Sequence, residues 1–105
     1  MIIKFLKEKL GGIKRSSDWP KFKKEYEVTH PKRCALCNTD KQVELHHIFP
    51  VSLFPEKELD PENVVWLCEK FSHHLFCGHL GSYRSYNKNV ILDCKIWRNK
   101  ILTRP

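Results

Sequence analysis

Four of the five cysteines and five of the six histidines fall between Cys34 and His79. The segment reads Cys34-Ala-Leu-Cys37, Glu44-Leu45-His46-His47-Ile48, Glu62-Asn63-Val64-Val65-Trp66-Leu67-Cys68 and His73-His74-Leu75-Phe76-Cys77-Gly78-His79. Thiolates and imidazoles spaced in this way are ligands for a metal of intermediate softness, zinc first. Cys34 and Cys37 supply two sulfurs from one knuckle, and Cys68 supplies a third. A tetrahedral structural zinc needs a fourth ligand. Phe71 occupies the position that would complete a second Cys-x2-Cys, so the candidates are His73 and Cys77. Ligand spacing favours His73, because Cys68-x4-His73 fits one turn better than Cys68-x8-Cys77. The competing reading makes Cys68 and Cys77 ordinary buried thiols.

The remaining histidines suit an open site. A neutral imidazole has its pKa near the working pH and can take a proton from water. A divalent metal held by two histidines, with positions left for water and phosphate oxygens, supplies counter-charge and helps a leaving oxygen depart. Together these are the requirements of phosphodiester hydrolysis. Neighbours on a regular strand point to opposite faces, so His46 and His47 flank one phosphate only where the strand end is irregular. The alternative is that one of the pair is a satisfied core histidine. His79 reads as a phosphate contact or a packing residue between glycines in preference to a further metal ligand.

Several elements must position these groups. Ile2, Phe5, Leu6 and Leu10 recur at helical spacing before Gly11-Gly12, giving residues 1–15 as a docked helix or a mobile leader. Asp18 and Pro20 start a helix to about Val28, with Trp19, Phe22 and Tyr26 on one aromatic face. Pro31 stops it, and His30 reads as a helix-end residue. Cys34 to Asp40 forms a tight knuckle. Gln42 to Phe49 and Val64 to Leu67 are strands, and Val51 to Pro61 between them is a loop broken by Pro55 and Pro61. A helix follows from about Ser72 to Phe76. Val90, Cys94, Trp97 and Ile101 mark an amphipathic C-terminal helix.

At 105 residues the chain is one domain, with a core over about 30–82 too small to dispense easily with a structural metal. The formal charge of +7 favours a polyanionic partner, nucleic acid before an anionic membrane. The apolar run at the start is too short, and too interrupted by lysine, for a secretory signal, and no stretch is long enough to span a membrane. Reduced thiols in a cytosol-like compartment are therefore expected. A thioredoxin-type Cys-x2-Cys lacks its βαβ context.

A strand, a strand and a helix carrying His, Asn and His in that order resemble the HNH endonucleases, built on the ββα-metal finger. The resemblance covers roughly residues 16–105. It extends through Trp19-Pro20-Lys21, Cys34-x2-Cys37, Leu45-His46-His47-Ile48-x-Pro50, Asp60-Pro61-Glu62-Asn63, Leu67-Cys68, Phe76-x-Gly78-His79-Leu80-Gly81, Ser85-Tyr86-Asn87 and the Trp97 helix. These look like a small phage- or bacteria-type subgroup, which implies the cytoplasm of a bacterial or phage-infected cell. The resemblance implies that His47 is the general base and that His46 and His74 hold the catalytic divalent metal (Mg²⁺, Mn²⁺, Ni²⁺ or Zn²⁺). It implies that Asn63 orients the base or its loop. The subgroup usually carries Cys-His where this chain has His73-His74, so His73 stands in place of a zinc cysteine. Cys77 stands where an apolar residue is usual.

The expectation is thus an α+β fold: a ββα-metal core with helices before and after it, stapled by one structural zinc at a pair of knuckles. Its function would be metal-dependent hydrolysis of DNA, most naturally double-stranded. Lys14, Arg15, Lys21, Lys23, Arg84, Lys88 and Arg98 are candidates to neutralise the backbone. The competing class is a non-catalytic, zinc-stabilised module that binds nucleic acid.

Overall fold

The computed structural model describes residues 16–103. The element order is a helix, two strands and a helix, with short tight turns between. Helix α1 spans Trp19–Thr29, strand β1 Val43–His47, strand β2 Val64–Cys68 and helix α2 Val90–Leu102. One π-helical turn, His74–Gly78, lies between β2 and α2, and 3-10 turns at Pro55–Lys57 and Pro61–Asn63 punctuate the inter-strand loop. The expected leader at residues 1–15, with Lys14 and Arg15, lies outside the described residues.

β1 and β2 pair antiparallel, with Val43 opposite Cys68, Leu45 opposite Trp66 and His47 opposite Val64. Residues paired across a sheet share a face, and successive residues alternate. One face of the ribbon therefore carries Val43, Leu45, His47, Val64, Trp66 and Cys68. The other carries Glu44, His46, Val65 and Leu67. A two-stranded ribbon is marginal alone and needs cover on its apolar sides. α1 covers the first face: Trp19 packs on His47 with ring centroids 4.6 Å apart, and Tyr26 lies 6.0 Å from Trp66. The Trp66 indole N–H donates to the His30 carbonyl at 2.9 Å, which pins the end of α1 to β2. The π turn covers the second face, bringing Gly78 against Leu67 and His46. Every residue of β2 is buried, consistent with its unbroken apolar run.

Four details differ from the expected elements. Asp18 occupies the N-cap position of α1, but its side chain makes no capping hydrogen bond there; Pro20 fits the first turn, where no backbone donor is required. The expected helix over Ser72 to Phe76 is instead the π turn, displaced toward the C-terminus. The loop between the strands is largely tight turns, with the Asp60 carboxylate accepting from the Glu62 N–H at 2.9 Å. On α2, Val90 and Cys94 are buried as expected, whereas Trp97 and Ile101 are 54% and 49% exposed. The first turns of α2 dock on the π turn and its last turns project past it. Among the described residues, no helix is long and apolar enough to cross a membrane.

Candidate metal centres

The knuckle at Cys34 turns sharply because Asn38 adopts φ +67°, a left-handed conformation that asparagine tolerates. The Asn38 N–H donates to the Cys34 carbonyl, and the Cys34 N–H to the Thr39 carbonyl. A second tight segment follows β2, where Ser72 has φ +59° and its N–H donates to the Glu69 carbonyl. These turns aim Cys34, Cys37, Cys68 and His73 at one point, with their ligand atoms within 4.8 Å of one another. The Cys37 and Cys68 sulfurs are 3.8 Å apart. His73 Nδ1 lies 3.4 Å from Cys68 Sγ and 3.7 Å from Cys34 Sγ.

A tetrahedral zinc, with Zn–S of about 2.3 Å and Zn–N of about 2.0–2.1 Å, separates two sulfurs by about 3.8 Å and a sulfur from a nitrogen by about 3.5 Å. The group fits those edges. It can therefore hold zinc or a metal of similar preference, with all four positions supplied by protein. Burial is the main reason that the Cys37 thiol is pushed up to about 12 when no cation faces it. Burial likewise holds the His73 imidazole below its ordinary value, in the neutral form that a metal binds. Of the two candidates for fourth ligand, the geometry brings in His73. Cys77 lies elsewhere, its sulfur 3.7 Å from that of Cys94 on α2.

The second group is built from His46, His74 and His79, whose ligand atoms also lie within 4.8 Å of one another. His74 Nε2 is 3.0 Å from His46 Nδ1 and 3.2 Å from His79 Nε2. The neighbours on the far side of two rings fix their tautomers. His74 Nδ1–H donates to Glu69 Oε1 at 2.5 Å. His79 Nδ1–H donates to the Ser85 carbonyl at 2.8 Å. Both Nε2 lone pairs then point into the group, an arrangement that a proton or a cation between them stabilises. The nitrogen separations match a metal with bonds of about 2.0–2.1 Å, for which neighbouring nitrogens sit about 2.9–3.4 Å apart.

The π turn makes this grouping possible. On a regular α-helix, residues five apart are rotated by about 140° from each other. Here the His79 N–H reaches back to the His74 carbonyl at 3.1 Å, closing the wider turn and returning His79 to the side of His74. Behind the turn, Asn87 is buried and ties it to α2: its amide donates to the Cys77 carbonyl at 3.0 Å and to Asp93 at 2.7 Å. His79, expected as a phosphate contact or packing residue, is thus brought beside His46 and His74 in a group that could hold a metal ion. A helical reading at 3.6 residues per turn places it on the wrong side.

His47 has other neighbours. It lies on the α1 face under Trp19, only 7% exposed, and its Nε2–H donates to the Glu58 carbonyl at 2.8 Å. β1 is regular through His47, so the alternation of the strand sends His46 and His47 to opposite faces, and the two do not join in one ligand group. Asn63 is 3% exposed. Its Oδ1 accepts from the Phe49 N–H at 2.9 Å, and its amide donates to the Phe49 and Lys57 carbonyls at 3.0 and 3.1 Å. It thereby fastens the end of β1 to the segment that carries the Glu58 carbonyl, the partner of His47 Nε2.

The structure adds Glu69, Asn87 and Tyr83 to the residues around the histidine group, Tyr83 by packing its ring 4.9 Å from that of His79. Asn87 was visible in the sequence as part of Ser85-Tyr86-Asn87. Glu69 carried no signal beyond following Cys68. Lys21, Lys23, Arg84, Lys88 and Arg98 are all exposed, and Lys23 lies over the Trp19 ring. Comparison with protein-family models, with curated proteins and with solved structures gives no match.

Proposed function

We propose that this chain is a metal-dependent endonuclease of the HNH type, with a closed zinc site at Cys34, Cys37, Cys68 and His73 and a catalytic divalent metal at His46, His74 and His79. The observation that carries the reading is the convergence of three imidazole nitrogens, with His74 Nε2 3.0 Å from His46 Nδ1 and 3.2 Å from His79 Nε2 and two of the three lone pairs oriented inward. The two groups differ in a way that suits separate tasks. The four-ligand group has all tetrahedral positions filled by protein, as structural zinc sites do, whereas three ligands leave positions for water and substrate. A divalent cation at the three histidines would stabilise charge on a phosphoryl group and on its leaving oxygen.

The remaining work falls to this chain's own residues. The resemblance gives the general base's role to His47, an imidazole able to take the proton from an attacking water, although it lies on the opposite face of β1 from His46 with its Nε2–H donating to the Glu58 carbonyl. Asn63 holds the loop that fixes that tautomer. The exposed lysines and arginines, and the formal charge of +7, favour a phosphodiester backbone as substrate.

The test is conversion of supercoiled plasmid with and without added divalent metal, on protein whose zinc content is one equivalent. Metal-dependent nicking supports the reading. The packing of His47 beneath Trp19 favours a second one, in which His47 is a core imidazole and the chain is a zinc-stabilised nucleic-acid-binding module. Plasmid that is bound but never nicked with any of Mg²⁺, Mn²⁺, Ni²⁺ or Zn²⁺ would establish that second reading.

A further inference from the structure

Glu69 is the residue after Cys68, and His74 is the residue after His73. Cys68 and His73 belong to the four-ligand group, with Sγ and Nδ1 3.4 Å apart. The short turn between them is held at its start by the Glu69 N–H donating to the Gln42 carbonyl at 2.7 Å, and within by the Ser72 N–H donating to the Glu69 carbonyl at 3.1 Å. Both ends of the Glu69–His74 pair are thus anchored by residues of the closed site. Across that turn the Glu69 carboxylate accepts from His74 Nδ1–H at 2.5 Å, and its side chain is only 25% exposed. Glu44 also approaches His74 Nδ1, but at 3.9 Å and 54% exposed it is too far to accept a hydrogen bond.

A carboxylate on the outer nitrogen of a ligating histidine fixes its tautomer and ring orientation and raises its basicity toward the metal. We infer that Glu69 is a positioning residue for the three-histidine centre, a carboxylate carried on the zinc-site turn that orients His74 Nε2 toward the second metal. The inference rests on the proposed metal centre at His46, His74 and His79. It gives the closed site a second task, because the turn that presents its ligands also presents the carboxylate that tunes its neighbour.

The experiment is a Co²⁺ titration of protein already holding one equivalent of zinc, read by the weak visible bands of nitrogen-ligated cobalt, with zinc content measured alongside. Wild type should take up one further equivalent. Glu69→Ala should weaken that uptake by about 10–100-fold while zinc stays at one equivalent. Glu69→Gln should fall less, since its amide oxygen still accepts from Nδ1–H but lacks the charge. Glu69→Ala with wild-type cobalt affinity overturns the inference alone. Wild type that takes up no cobalt overturns the three-histidine centre itself, and the inference with it. If Glu69→Ala loses its zinc, Glu69→Gln decides. Weaker cobalt uptake at full zinc content supports a positioning role. Wild-type uptake, or joint loss of both metals, makes Glu69 a structural member of the turn.

Discussion

At the scale of single residues, the two adjacent histidine pairs do divided work. His73 and His74 diverge from one turn into different ligand groups, and His46 and His47 diverge from one strand onto different faces. If His47 is the base, His47→Ala removes proton transfer and leaves both ligand groups intact. Its nicking rate should fall by roughly 10²–10⁴-fold with metal content unchanged, whereas loss of His46 should be partly rescued by excess divalent metal. Rates measured against metal concentration separate the two, and wild-type cleavage by His47→Ala would remove it from the mechanism. Gly78 makes a second residue-scale prediction. A Cβ there would come within 3.0 Å of Leu67 Cδ1 and 3.1 Å of His46 Cε1. Gly78→Ala should therefore cost about 1–3 kcal/mol in denaturant unfolding, the usual range for overpacking. It should also weaken the proposed second metal more than the first, because the displaced ring belongs to the three-histidine group.

At the scale of elements, the π turn decides which side chains meet. It sends His74 and His79 to the three-histidine group and Cys77 to Cys94 on α2. Hydrogen bonding to Cys77, followed by burial, drives the Cys94 thiol far above its ordinary value, so that sulfur stays protonated and packs as an apolar group. Cys77→Ala should then leave zinc content at its wild-type value and cost about 1 kcal/mol, the central value for point substitutions. Cys34→Ala should abolish the cooperative unfolding transition. Zinc loss from Cys77→Ala would instead make Cys77 a ligand.

Much of this arrangement was legible in the sequence. The Cys34-x2-Cys37 spacing, the asparagine after it and the apolar run at β2 each declare a local geometry that tertiary contacts did not override. The π turn was not legible, because a residue-five return has no signature in a 3.6-residue period. That concealed His79. Glu69 was hidden for another reason: an acid after a buried cysteine looks like surface charge until the fold brings it to His74. On α2 the apolar spacing of Val90, Cys94, Trp97 and Ile101 was correctly seen. Periodicity cannot say how far along a helix its partner extends, and here the cover stops after Cys94 among the described residues.

At the scale of the whole molecule, a small ribbon covered by α1 on one face and the π turn on the other would draw stability from a metal bound at the closed site, and that would make it sensitive to pH. Without a cation, Cys37 stays a thiol to about pH 12, so metal uptake must expel protons and weaken as pH falls. His73 acts in the same direction. Its pKa in the fold lies below its ordinary value, so its contribution is complete above the ordinary histidine range. That contribution is lost as pH falls from that range through the lowered value. Thermal melts of zinc-loaded protein should therefore shift to lower temperature between about pH 7 and pH 5, and a chelator at neutral pH should abolish the transition. The most direct measurement is the metal count by native mass spectrometry, on wild type and on His74→Ala, after exposure to excess zinc. Two separate centres predict two ions in wild type and one in His74→Ala, with the folded charge distribution kept in both. A single ion in wild type, or two ions still bound to His74→Ala, would contradict the account.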